Sequence, residues 1–203
     1  YYAIKGRGVC VLHISIYMTI RKQVFMHYSE QPCLELLPQI YELAPEVETA
    51  GSTGNDAHNS RASQVSWIEP KEENQKLFQT LFDMTMDANQ RADWHFEVGI
   101  LEPLQFTKYG VGEKYDWHVD QLININEETC RKLSFTMLLN DEFEGGDLQL
   151  ECGSPSNPER EHSVALKKGD IVFFPSYCWH RVLPVTSGER HSLVGWLHGP
   201  NWR

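Results

Sequence analysis

Two imidazoles and a carboxylate stand at a spacing that suits metal chemistry: His118-Val119-Asp120, then His180, with Arg190 beyond them. Residues i and i+2 of an extended strand point to the same side, so His118 and Asp120 are expected to reach one metal from one face while His180 arrives from a distant strand. Two imidazoles and one carboxylate leave coordination positions of a non-haem Fe(II) open, and those are where O2 and a bidentate organic acid bind. An arginine suits the anionic cosubstrate, because a guanidinium makes a planar two-pronged pair with a carboxylate and stays charged when buried. A bare His-x-Asp also arises by chance on exposed polar strands, so its neighbours decide its meaning.

Upstream lies Gln105-Phe106-Thr107-Lys108-Tyr109-Gly110-Val111-Gly112-Glu113-Lys114-Tyr115-Asp116-Trp117, and downstream Gly145-Gly146-Asp147-Leu148 and Lys168-Gly169-Asp170-Ile171-Val172-Phe173-Phe174-Pro175. With Trp179-His180-Arg181-Val182 and Ser187-Gly188-Glu189-Arg190-His191-Ser192, these segments resemble the 2-oxoglutarate/Fe(II) oxygenases of the prolyl 4-hydroxylase type, most closely the bacterial PKHD-type hydroxylases. The resemblance runs from about Gln105 to Leu197. It implies that His118, Asp120 and His180 are the iron ligands and catalytic centre, and that Arg190 pairs with the distal carboxylate of 2-oxoglutarate. Ser192, two further along the same strand, is placed to join Arg190, and Tyr109 matches the family tyrosine beside the cosubstrate, although its hydroxyl could equally be a satisfied core group. The implied cofactors are Fe(II), 2-oxoglutarate as cosubstrate and O2, with ascorbate as a further candidate. The implied reaction is oxidative decarboxylation of 2-oxoglutarate to succinate and CO2, coupled to hydroxylation of a substrate C–H bond. Related halogenases have a small residue in place of Asp120, so the carboxylate here argues for hydroxylation.

The segment from Arg131 to Asn140 supports this independently. Leu133, Phe135, Met137 and Leu139 alternate with Ser134, Thr136 and Leu138, giving one dry and one half-polar face. The half-polar face is assigned to the barrel interior, with Thr136 and Ser134 near the cosubstrate; a strand with one solvated side is the rival. Some animal prolyl hydroxylases carry a tyrosine where Leu138 stands, so carboxylate binding is divided differently here. Tyr115, Trp117, Trp179 and Trp196 offer aromatic surface on which a pyrrolidine ring can pack, and Arg61 or Trp67 is placed by the resemblance beside the site mouth. Trp67 could as well be core, and side chains of this size are also ordinary barrel filling. The substrate that the resemblance implies is a prolyl residue in a peptide or protein, or free proline as a small molecule. A non-catalytic cupin-like module that binds a small acid or a protein is the alternative, against which the complete ligand set and Arg190 speak.

Composition agrees with one enzyme domain. At 203 residues the chain can bury a substantial core. Its net charge of −10 opposes a polyphosphate partner. The nucleic-acid demethylases that share this iron site have a second arginine six residues after the first, where this chain has Trp196, so nucleic acid is not the expected partner. Cys10, Cys33, Cys130, Cys152 and Cys178 are odd in number and include no Cys-x-x-Cys, which favours reduced thiols in a cytoplasmic protein over a disulfide framework or zinc site. Cys178, two before His180, reads as a small core residue. No apolar run is long enough to span a bilayer.

The elements that must position these side chains are read as a double-stranded β-helix, a jelly-roll, cupin-like barrel of two facing antiparallel sheets with N-terminal helices packed on one of them. Residues 1–17 are taken as extra sequence ahead of a start at Met18, with an added β-strand as the rival reading; 18–203 form a single domain, of which 18–100 is helical and strand support and 101–203 the barrel core. Ser29 can cap a helix carrying Leu34, Leu37, Ile40 and Tyr41 that Pro38 must weaken or split. Residues 50–60 read as a loop. Pro70 opens a second helix, Glu72 and Glu73 suit its first turn, and Leu77, Phe78, Leu81, Phe82 and Thr85 form a stripe that packs on the larger sheet. Residues 61–67 read as a strand, and the alternation Phe96, Val98, Ile100 predicts another leading into the barrel.

Overall fold

Alternating side chains dominate the second half of the chain, and antiparallel pairing is the outcome. The computed structural model describes residues 25–28, 31–44, 48–50, 61–121, 128–153, 156 and 159–202. The expectations for 1–17, Met18, the Ser29 cap and the loop over 51–60 lie outside these residues. Among the described residues twelve strands join one curled sheet. One wall runs β1 (Met26–Tyr28), β11 (Ile171–Pro175), β7 (Thr129–Leu138), β14 (Arg190–Pro200), β5 (Leu104–Tyr109) and β3 (Arg61–Ile68); the other runs β6 (Lys114–His118), β12 (His180–Val182), β9 (Leu148–Glu151) and β10 (Glu161–Val164). The walls meet at β3, which pairs with β5 over residues 64–68 and with β6 at Arg61 and Ala62. β2 (Glu48–Ala50) adds to β3, β4 (Ile100–Leu101) adds to β14, and β8 (Phe143–Gly145) pairs with β13 (Val185–Gly188) as a separate ribbon. The chain is a double-stranded β-helix, and strands β1 and β3, from before residue 101, run inside the same sheet.

Strand β7 shows how the pattern builds the barrel. Leu133, Phe135 and Met137 are fully buried with Ile171, Phe173, Leu193 and Leu197 in an apolar layer on the outside of the wall. Thr136 lies opposite Val172, and Ser134 opposite Phe174, whose side chains belong to the inner cluster with Leu148, Leu150 and Val182. The half-polar face therefore looks into the barrel. The outer layer is capped by α3 (Gln75–Arg91), whose Leu77 and Leu81 are 0% exposed. Each such leucine contributes about 1.5–3 kcal/mol by leaving water.

Three local outcomes bear on the sequence pattern: the first meets the expected break at Pro38 and the other two depart from it. The first helical segment is split into α1 (Gln31–Leu34) and α2 (Leu37–Leu43), with Pro38 in the opening turn of α2; Cys33, Leu37 and Ile40 are buried, while Leu34 and Tyr41 are exposed. No strand forms over 94–99. Asp93 and His95 take positive φ and end α3, and the Asn89 side chain then brackets Phe96, donating Nδ2–H to its carbonyl at 2.9 Å and accepting from its N–H at 3.0 Å. These bonds occupy the groups a strand partner would need, so only Ile100 and Leu101 pair with β14. Third, β6 ends at His118, so Asp120 lies beyond the strand. No helix among the described residues is long and apolar enough to cross a membrane.

Candidate metal centre and its surroundings

Strand β6 brings its side chains to the site by breaking its own alternation. His180 of β12 lies opposite His118, but Val182 lies opposite Tyr115, so three steps on β6 face two on β12. This bulge turns Tyr115 and His118 to the same side, where strict alternation would separate them. Their rings stack at 3.5 Å between centroids and 14° between planes. Asp120 follows past the strand end, where the N–H groups of Asp120 and Gln121 both donate to the Ser176 carbonyl at 2.9 Å. The turn at Ser176 thus supplies the placement that a longer β6 would have provided.

His118, Asp120 and His180 converge, with one ligand atom from each lying within 4.8 Å of the others. His118 Nδ1 is 2.7 Å from the Asp116 carbonyl and His180 Nδ1 is 2.9 Å from the Cys178 carbonyl. A carbonyl only accepts, so both Nδ1 atoms carry the proton and both Nε2 lone pairs are free. Those lone pairs face Asp120, His118 Nε2 at 3.7 Å from Oδ1 and His180 Nε2 at 3.5 Å from Oδ2. The distances exceed a hydrogen bond but suit atoms sharing one ion at roughly 2.0–2.2 Å.

The electrostatics ask for a cation. Asp120 Oδ2 is buried and has no hydrogen-bond donor. Burial pushes the Asp120 carboxyl up, yet His180 and His118, helped by the Trp196 indole and the Ser134 hydroxyl, outweigh it and hold the group below its usual range. Burial and the neighbouring His180 push His118 down to about 3, which keeps its imidazole neutral and able to ligate. Lone pairs and a carboxylate facing one another without a proton between them are what a divalent ion would complete.

Arg190, at 2% exposure, is the largest fully buried side chain among the described residues. Its Nη1 donates to Ser192 Oγ at 3.1 Å, and its guanidinium lies 5.7 Å from the ring centre of Tyr109, its cross-strand partner on β5. Burial lowers the pKa of Arg190 and raises that of Tyr109. A cavity of about 260 Å³ opens on Arg190 between Leu138, Gly146, Asp147 and Val164 and does not reach the three converging side chains. Gly146 has φ of +65°, and a Cβ there would lie 2.8 Å from Arg190 Cδ, so the Gly-Gly-Asp segment leaves the arginine its channel. Thr136, 7% exposed, sits on the same interior face, opposite Val194.

The other sequence candidates divide. Arg61 lies 4.8 Å over the Tyr115 ring and donates to Ser63 Oγ and Gln105 Oε1. Trp196 is buried with an indole N–H that lacks an acceptor, between the Arg131 guanidinium at 3.9 Å and Trp67 at 6.1 Å. Trp117 is turned by the bulge toward Arg181 at 4.5 Å, on the outer side of β12 where Arg181 meets Gln149 and Glu161. Trp179 is 49% exposed and Trp67 41% exposed. Sequence reasoning missed Arg131, which holds Glu102 through two 2.6 Å bonds, and the carbonyls of Asp116, Cys178 and Ser176, which have no side-chain signature.

Residues 104–198 match the model of the 2OG-Fe(II) oxygenase superfamily. Over those residues, a little under half of the chain, the barrel is similar to that superfamily. Over part of its length the chain is similar to PKHD-type hydroxylases. A PKHD-type hydroxylase of Synechococcus sp. (strain CC9605) is 40% identical over 96 residues, which is 46% of this chain and 40% of the relative. One from Stenotrophomonas maltophilia (strain R551-3) is 38% identical over 159 residues, 74% of this chain and 64% of the relative. The chain spans about half the length of the curated relatives it matches. In fold, the oxygenase barrel is similar to a Pseudomonas putida prolyl-4-hydroxylase, with TM-score 0.65 and 22% identity over 88% of this chain and 94% of that one. A viral collagen prolyl hydroxylase from Paramecium Bursaria Chlorella virus-1 gives TM-score 0.63 at 18% identity, covering 87% and 97%. The superfamily implies Fe(II), 2-oxoglutarate and O2.

Proposed function

We propose that this chain is an Fe(II)- and 2-oxoglutarate-dependent hydroxylase whose metal is held by His118, Asp120 and His180. The observation that carries the reading is the convergence of two free Nε2 lone pairs on a buried carboxylate, one oxygen of which has no donor. Fe(II) supplies O2 activation coupled to decarboxylation of 2-oxoglutarate. The chain's own residues do the rest. Asp116 and Cys178 fix the imidazole tautomers through their carbonyls, and the Ser176 carbonyl fixes Asp120. Arg190, with Ser192 beside it, takes the distal carboxylate of the cosubstrate, and Tyr109 and Thr136 border it from the interior face. Burial of that guanidinium excludes water and strengthens the pair.

The substrate we propose is a prolyl residue of a peptide or protein, or free proline. Support comes from the names of the relatives and from aromatic surface at the site, Tyr115 against His118 and Trp196 nearby with an unsatisfied N–H. Arg61 lies over Tyr115, and Trp179 adds exposed surface beside His180. Trp117, facing Arg181, is the weakest of the aromatic candidates. A cytoplasmic setting is proposed on the four free thiols among the described residues. The test is to load the chain anaerobically with Fe(II), add 2-oxoglutarate and O2, and screen prolyl peptides and free amino acids by mass spectrometry. A gain of one oxygen on proline-containing substrates supports the assignment, and oxidation of non-prolyl candidates alone overturns it.

A further inference from the structure

Two cysteines that the sequence leaves 26 positions apart meet beside His180. Strand β9 pairs antiparallel with β12, with Leu150 opposite His180. The ladder continues one step through the Glu151 N–H, which donates to the Trp179 carbonyl at 2.9 Å. Extended one further step, the same register would set Cys152 opposite Cys178, which lies in the turn after Pro175. Because Glu151 and Trp179 form the hydrogen-bonded pair, the next pair is a non-hydrogen-bonded one, the type in which Cα atoms lie about 4.5 Å apart. That separation falls within the range a disulfide accepts, about 4.4–6.8 Å. Both side chains turn inward: Cys152, 5% exposed, belongs to the inner cluster with Leu148 and Leu150, and Cys178 packs against that cluster. Both thiols are free.

We infer that Cys152 and Cys178 are a redox modification site, a thiol pair that a hydroperoxide converts into a cross-strand disulfide beside the metal centre. The step balances as two thiols and one hydrogen peroxide giving one S–S bond and two waters, with the two electrons leaving the sulfurs. Its consequence passes through one atom. The Cys178 carbonyl accepts from His180 Nδ1 and so sets that ring's tautomer and direction. Tying Cys178 to β9 displaces the carbonyl and with it the Nε2 lone pair. Loss of an orienting contact of this kind weakens metal binding by roughly 10–100-fold. Both thiols lie within or against the inner apolar cluster, so oxidation is slow and answers sustained rather than brief exposure.

The effect on metal rests on the proposed iron site, while the disulfide itself does not, and the experiment separates them. The full chain, reduced and metal-free, is treated with hydrogen peroxide and mapped by mass spectrometry without reduction. A peptide pair joining Cys152 to Cys178, two hydrogens lighter than the sum, is expected, and dithiothreitol should reverse it. Absence of that pair, or cross-linking of either cysteine to another partner, overturns the modification. Mn(II) binding, read by electron paramagnetic resonance, should weaken at least about tenfold on oxidation. It should be unaffected by peroxide in Cys152→Ser and Cys178→Ser. A cross-linked chain that binds Mn(II) as tightly as the reduced one overturns the link to His180, and a reduced chain that binds no Mn(II) counts against the iron site instead.

Discussion

His118 and His180 each donate the Nδ1 proton to a carbonyl two residues upstream, and this local bond leaves both Nε2 lone pairs free, as the proposed metal site requires. His118→Ala should abolish Mn(II) binding yet leave the thermal unfolding of the metal-free chain intact, since it removes a lone pair from beside a buried carboxylate. Titration of the metal and a melting curve check both halves. Arg190→Ala should cost on the order of 2–5 kcal/mol of 2-oxoglutarate binding, because it leaves a carboxylate buried without its partner. Calorimetry on the Mn(II)-loaded chain would show this, with Arg190→Lys recovering only part because the fork is lost. Gly146→Ala places a Cβ 2.8 Å from Arg190 Cδ on a backbone at φ of +65°, so it should weaken the same affinity while sparing Mn(II). The types and spacing of His118, Asp120, His180 and Arg190 were readable because side-chain chemistry is written in letters. The Ser176 and Cys178 carbonyls were not, since every residue has one.

At the scale of elements, position depends on departures from regularity. The β6 bulge puts Tyr115 on the side of His118 and sends Trp117 the other way, and period-two reasoning cannot locate it because a bulge alters pairing without altering composition. Strand β7 and helix α3 were legible, because their apolar stripes have the periods of the elements they form. The alternation at Phe96, Val98 and Ile100 misled for a physical reason: Asn89 takes the backbone groups of Phe96 before a neighbouring strand can. Asn89 is 0% exposed, so Asn89→Ala should strand two main-chain groups and destabilise the chain by about 2–3 kcal/mol. Urea unfolding measures this, and an equal Mn(II) affinity would show that the bracket serves the fold alone.

For the whole molecule, an outer apolar layer under the helices and an inner cluster around Leu148, Leu150, Val172 and Phe174 carry stability, while the buried polar groups Thr136, Arg190 and Ser192 share the barrel interior. Cys33 reports on the outer layer. At 1% exposure its thiol is pushed up to about 12 by burial, with Asp170 adding to the effect. The unfolded thiol ionises from about pH 9 while the folded one stays protonated, so this group's contribution to stability is lost as pH rises from 9 toward 12. At pH 8 iodoacetamide should spare Cys33 in the folded chain and alkylate it in urea; rapid folded-state alkylation would mean that α1 lifts off the sheet. The interior is tested by its chemistry. The most direct measurement is succinate released from 2-oxoglutarate by the chain loaded anaerobically with one equivalent of Fe(II) and then given O2. Slow release without substrate, faster release when a prolyl peptide or proline is added, and none from Asp120→Ala is the predicted result; no succinate from a fully iron-loaded, folded chain with any candidate would contradict the account.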